Sequence, residues 1–280
     1  MIRTPTYLDR AHVGEVEQYL ERFRSRLDQY VGELVATVEQ ERVQTQLKTI
    51  AFTANHLLPK RNIRPAVRIE HTAEQIHLAY DEKREEAVDL IKFALVSHEY
   101  YDIVDDIFDG DVAPGGEPQV FATKELLQPL LLDQLVALGG EAGSYWSSRS
   151  LRMTSSMLDE LRTEPAAPEY RELMDKQAEL YGAMTGLGAL TADVKDREVE
   201  RAETFGKNFF KFEQCVLDRK QYESGDPDPW NLWSLATERY ATESLLDWQS
   251  EMETYLGTLP EEQRRLLRPL IALDVEAWIN

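Results

Sequence analysis

Only one cysteine occurs in the 280 residues, Cys215, in a helical stretch beside Val216 and Leu217. A disulfide framework and a thiolate metal cluster are thereby excluded, and a reducing compartment is expected. Cations are scarce too: 31 Lys and Arg stand against 51 Asp and Glu, a formal net charge of −20. No basic patch of the kind nucleic acid requires is present, so nucleic acid is not an expected partner. No apolar run approaches the roughly 18 residues of a membrane span, and Met1 to Arg10 has no apolar core of signal-peptide length. No membrane span is expected, and the protein reads as cytoplasmic. Nothing alternates at period two for long enough to make a strand.

What the chain does have is acid spread along its whole length, with Arg outnumbering Lys by 21 to 10. That pattern is similar to proteins of salt-accumulating halophiles, in which a highly charged surface keeps the chain in solution. Hydrophobic residues make up 42%, ample for a packed core. They recur at three and four, which predicts helices over His12–Leu58, from Pro65 to Asp109 with a weak break near Asp81, and over Phe121–Leu138, Ser144–Met157, Glu169–Val194, Val199–Tyr222, Trp233–Leu256 and Glu261–Ile279. Pro59, residues 110–118, Gly139 with Gly140, Pro165 with Pro168, and residues 224–229 supply the interruptions. The expected fold is all-α: a single-domain bundle of about ten helices spanning residues 1–280, with function in its core between facing helices.

Residues 97–111 organise the chain. Stepped at about 100° per residue, Asp102, Asp105, Asp106 and Asp109 gather on one helix face, while Ile103, Val104, Ile107 and Phe108 take the other. Like charges at this spacing repel, and Gly110 followed by Pro114 marks a helix C-terminus, where anions are disfavoured. A bound cation relieves both penalties, and clustered carboxylates suit Mg²⁺ held jointly with substrate phosphates. The bland alternative is a solvated acidic face. A second stretch, Pro59-Lys60-Arg61-Asn62-Ile63-Arg64-Pro65, places three cations at an interrupted helix start, where phosphate oxygens bind well; its bland alternative is a basic surface loop.

Together these stretches resemble the trans-type isoprenyl (polyprenyl) diphosphate synthases, which pair a Gly-Lys-Arg-x-Arg-Pro motif with a first Asp-Asp-x-x-Asp motif. Here Asp105-Asp106-Ile107-Phe108-Asp109 matches the acidic motif, and the basic motif is one residue longer than usual. His98, seven residues before Asp105, stands where the family has a histidine that contacts isopentenyl diphosphate. Lys176-Gln177 resembles the family's Lys-Thr pair, and Phe205-Gly206 through Gln214 resembles the stretch leading to the second Asp-rich motif. That second motif falls on Leu217 to Gln221 and keeps only Asp218. Both arginines that follow the first motif are absent, although Gly116 and Pro118 match, and the later Lys-rich loop is replaced by residues 224–229. Glu213, Asp226 and Asp228 are the carboxylates nearby.

The resemblance implies an isoprenoid synthase-like fold and the condensation of isopentenyl diphosphate with an allylic diphosphate to give a short-chain prenyl diphosphate. It places Mg²⁺ on Asp105, Asp106 and Asp109, with Asp218 the remnant of the second metal-binding motif. Lys60, Arg61, Arg64 and His98 hold isopentenyl diphosphate, and Lys176 and Gln214 face the developing cation and leaving group. Tyr100 and Tyr101 stand where bulky residues floor the chain pocket, or else are two core tyrosines. The resemblance also implies a homodimer. Two other readings remain open: a paralogue serving as partner subunit of an active synthase, and a terpene cyclase, against which the basic motif and His98 speak. A di-iron bundle built on Glu74-Gln75-Ile76-His77 lacks its second Glu-x-x-His pair, and His71 and His77 read as helix-surface or packing residues.

Overall fold

The computed structural model describes residues 10–52, 65–110, 112, 114–225 and 227–279, which form helices and turns with no strand among the described residues. The expected all-α class is what the structure shows. In chain order the helices are α1 (Arg10–Ala36), α2 (Glu41–Gln46) with a π-helical turn at Leu47–Ala51, α3 (Pro65–Tyr80), and α4 (Val88–Asp109) after a 3₁₀ turn at Arg84–Ala87. Then come α5 (Glu117–Ala137), α6 (Gly140–Glu160), α7 (Ala167–Gln177), α8 (Glu179–Leu190) and α9 (Asp196–Ser224). The short α10 (Leu232–Leu235) and the longer α11 (Glu238–Leu256), then α12 (Glu261–Leu267), a 3₁₀ turn at Arg268–Leu270 and α13 (Val275–Ile279) close the chain.

Several expected helices are divided, each for a local reason. The first breaks after Ala36, where the Thr37 hydroxyl donates to the Leu34 carbonyl at 2.7 Å and the Gln44 amide donates to the Val38 carbonyl at 2.6 Å. Side chains there satisfy carbonyls that a continuing helix would have used. The helix expected over Glu169–Val194 is split at Ala178, whose ψ of −10° tightens the turn between α7 and α8. The one expected from Trp233 is interrupted by extended Ala236, after which Thr237 caps α11 by accepting from the Tyr240 N–H at 3.2 Å. The last loses its ladder at Pro269, which has no N–H to donate. Gly140 opens α6 rather than ending α5, and Gly139 between them has φ 96°. Gly110 ends α4 in the left-handed conformation, φ 74°, as its place in the sequence predicts.

Two helices form the middle of the bundle. Residues 69–78 of α3 and 181–189 of α8 are buried on every side. They approach closely because Gly188 has no side chain: a Cβ there would stand 2.6 Å from the Ala73 carbonyl oxygen. Two of the polar residues that α3 carries into the interior, Glu74 and His77, meet polar partners. Arg26 of α1 grips Glu74, with Nη2 2.8 Å from Oε2, and His77 Nδ1 lies 3.0 Å from Thr191 Oγ1. His71 packs edge-on against Phe23. On α8, buried Glu179 meets Lys207 at 3.0 Å and Arg152 at 2.5 Å, and Lys207 also reaches Glu203 at 2.7 Å. Pairing of this kind is what makes buried charge tolerable.

Candidate functional site

Helices α4, α6, α7, α8 and α9, with the turn before α10, line a cavity of about 370 Å³. His98, Tyr101, Asp102 and Asp105 enter its wall from α4, at the 3, 4 and 7 spacing of one helical face. Phe210, Gln214, Asp218 and Gln221 enter in the same manner from α9. Carboxylates in the wall are Asp102, Asp105, Glu160, Asp218 and Asp228, accompanied by Gln177, Gln214 and Gln221. The rest is mainly apolar or aromatic: Met153, Met157, Met174, Leu180, Tyr101, Tyr181, Phe210 and Trp230. No Lys or Arg belongs to the wall among the described residues.

The residues singled out in the sequence fall into three groups. His98, Tyr101, Asp105, Gln214 and Asp218 meet at this cavity. Asp106 and Asp109 are on the same helix, with Asp109 its last residue, and Tyr100 is packed edge-on against Tyr101 with ring centres 5.2 Å apart. Tyr101 in turn packs against Trp146, which meets Phe93 at 4.9 Å, so an aromatic series backs this part of the wall. Lys176 stands in a neighbouring depression, its Nζ donating to Asp159 Oδ2 and Glu172 Oε1, both at 2.8 Å. These two hydrogen bonds push the lysine pKa up. Gln177, next in sequence, is the member of that pair in the cavity wall, where it donates to Glu160 at 2.9 Å. Lys60, Arg61 and Arg64 lie outside the described residues.

Asp218 is held from three sides. Tyr170 O–H donates to Oδ2 at 2.8 Å, the Leu232 N–H donates to Oδ2 at 2.8 Å, and the Gln214 amide donates to Oδ1 at 2.9 Å. Burial nevertheless dominates and raises its pKa, against the lowering effect of those hydrogen bonds. The carboxylate thus ties α9 to α7 and α10. Arg219 points elsewhere, its guanidinium 4.8 Å from the Trp233 ring centre and 5.0 Å from that of Trp278, with Nε donating to Glu223 at 2.6 Å. Trp233 donates its indole N–H to the Cys215 carbonyl at 2.8 Å. Arg219 therefore fastens α13 to α9 by cation–π contact.

Sequence reading did not single out Glu160, Gln221, Trp230 or the three methionines of the wall. The methionines and Glu160 carry no local signal, since helical spacing fits a core face equally well. Among the nearby carboxylates, Asp228 enters the wall and caps the turn by accepting from the Trp230 N–H at 2.8 Å, Glu213 is buried elsewhere on α9, and Asp226 lies outside the described residues. Against the cavity, His98 Nδ1 lies 3.4 Å from Oε1 of buried Glu70 on α3. Among the described residues no three His, Cys, Asp or Glu side chains form a ready-made metal cage.

No family model and no curated protein matches the chain. Solved structures do. An FPP/GFPP synthase from Zymomonas mobilis is 15% identical, with a TM-score of 0.74 over 93% of this chain and 99% of that one. A polyprenyl synthase from Caulobacter crescentus, complexed with calcium and isoprenyl diphosphate, is 14% identical with a TM-score of 0.73 over 97% and 99%. A geranyltranstransferase from Methanosarcina mazei is 13% identical with a TM-score of 0.71 over 92% and 97%. The chain has the fold of the trans-isoprenyl diphosphate synthases.

Proposed function

We propose that the protein is an isoprenyl diphosphate synthase, joining isopentenyl diphosphate to an allylic diphosphate to give a short-chain prenyl diphosphate in the cytoplasm. The observation that carries this reading is the composition of one cavity: Asp102 and Asp105 share a wall with His98 and with methionine and aromatic side chains. Carboxylates suit a metal-bound diphosphate, and the apolar wall suits a hydrocarbon tail.

The donor set fits Mg²⁺. Magnesium takes one or two carboxylates together with substrate phosphates and does not require a cage of protein ligands. Asp105, Asp106 and Asp109 would hold it, with Asp218 the remaining carboxylate across on α9. Bound there, Mg²⁺ supplies positive charge to the diphosphate, which the described wall otherwise lacks. The chain's own residues do the rest. The basic segment 60–64 and His98 hold isopentenyl diphosphate, while the apolar wall excludes water and lies along the allylic chain. The allylic C–O bond breaks with its electron pair leaving on diphosphate, the alkene of isopentenyl diphosphate adds to the cation, and a proton is lost. Gln214, in hydrogen-bond contact with Asp218, faces that chemistry, whereas Lys176 stands in the neighbouring depression, paired with Asp159 and Glu172. Tyr101, backed by Trp146, floors the chain pocket together with Tyr100 and keeps the product short.

Labelled isopentenyl diphosphate offered with dimethylallyl, geranyl or farnesyl diphosphate and Mg²⁺, at low and at multimolar salt, is expected to yield a prenyl diphosphate, lengthened in Tyr101→Ala. Absence of product with every pair sinks the proposal. A second reading has its own observation: Asp218 and Lys176 are both engaged in protein contacts, as they would be in a paralogue serving an active partner subunit. Product formed only after a catalytic chain is added would favour it, and cyclisation of the allylic substrate alone would favour a cyclase. The homodimer finds support in exposed Phe121, Leu132 and Val136, at eleven and four on one face of α5, with Val136 79% exposed. Light scattering is expected at twice the chain mass of 32.3 kDa; a monomer would count against the dimer alone.

A further inference from the structure

Glu70 is 1% exposed, one helical turn into α3, and neither of its carboxylate oxygens has a hydrogen-bond partner among the described residues. A buried carboxylate in that state is costly, and a leucine would fill the position at lower cost. Its near neighbour is His98, whose Nδ1 lies 3.4 Å from Oε1. His98 belongs to the cavity wall, on the same face of α4 as Asp102 and Asp105. The two ring nitrogens of an imidazole lie on opposite edges, so a contact at Nδ1 fixes which way Nε2 points. A carboxylate behind a ligating histidine commonly serves to set its tautomer and orientation.

We propose that Glu70 is a positioning residue: it holds His98 by Nδ1 so that Nε2 meets the diphosphate of isopentenyl diphosphate. The inference rests on the synthase reading above. It gives α3 a reason to carry a carboxylate into the core at this position.

The test uses Glu70→Leu, Glu70→Gln and His98→Asn in the full chain. Isothermal titration with isopentenyl diphosphate should show affinity reduced about tenfold in Glu70→Leu and restored to within about threefold of wild type in Glu70→Gln, whose amide oxygen can still accept from Nδ1–H. In turnover, the KM for isopentenyl diphosphate should rise in Glu70→Leu while that for the allylic diphosphate stays within about twofold, a split that general loosening of the core would not give. Ring ¹⁵N spectra should place the His98 proton on Nδ1 in wild type and Glu70→Gln. Glu70→Leu with His98→Asn should lose no more than either alone, as expected for residues acting as a unit. Wild-type affinity in Glu70→Leu, an Nδ1 without its proton, or additive losses would each overturn the inference while leaving the synthase reading intact. If the wild-type protein itself binds no isopentenyl diphosphate, the synthase reading fails first and this inference with it. Unfolding is not expected to obscure the result, because Glu70→Leu removes a buried charge and its Tm should equal or exceed that of wild type.

Discussion

Replacing Asp105 by alanine is expected to lower prenyl transfer by about a hundredfold to a thousandfold, the usual loss when one element of the charge stabilising a transition state is removed. If the protein is the proposed synthase, the ionising C–O bond leaves negative charge on diphosphate, and the described cavity wall contains five carboxylates and no Lys or Arg to answer it. On that reading a cation held by carboxylates would answer it, and Asp105 is the exposed carboxylate of α4 that faces the cavity. Because the residue is exposed, the substitution should leave stability within about 0.5 kcal/mol. Initial rates with both substrates at saturation, and again across a Mg²⁺ titration, measure the effect. A loss below about tenfold, with Tm unchanged, would remove Asp105 from the metal-binding role.

Gly206→Ala is expected to destabilise the fold by about 3 kcal/mol, at the upper end of ordinary overpacking. In an exposed helix the same change would stabilise by about 1 kcal/mol, since alanine is the better helix former. At position 206 the added Cβ would overlap the Tyr181 carbonyl oxygen and Thr185 Oγ1, and would lie 2.8 Å from the Tyr181 carbonyl carbon. Backbone cannot swing aside as a flexible side chain can, so α8 and α9 must separate. Those two helices share the Glu179–Lys207–Glu203 network and bracket the cavity through Tyr181 and Phe210. A fall in Tm of roughly 5 to 10 °C by calorimetry is the expected result. A rise in Tm would mean that α8 and α9 are not in this close contact.

Much of the architecture was legible in the residues themselves. The carboxylate stripe of α4, the end of that helix at Gly110 and the all-α class follow from period and from backbone preference, which act within a few residues. The same local reasoning joined segments that the fold divides. The break after Ala36 and the turn at Ala178 depend on which carbonyls find other donors and on how neighbouring helices pack, neither of which hydrophobic spacing records.

Residue order and helical period are enough to specify the helical class, the face on which Asp102, Asp105 and Asp106 stand, and the spacing that puts His98 on that face. The partner that a polar side chain meets is set by how the helices pack. Lys176 is drawn to Asp159, seventeen positions earlier; Asp218 is bound by Tyr170 and Leu232; Arg219 lies between two tryptophans; Glu70 and His98 come together from different helices. Helical periodicity states which way a side chain leaves its own axis, whereas a charge or hydrogen-bond partner is supplied by another axis, and the packing of one helix on another is set by the whole bundle.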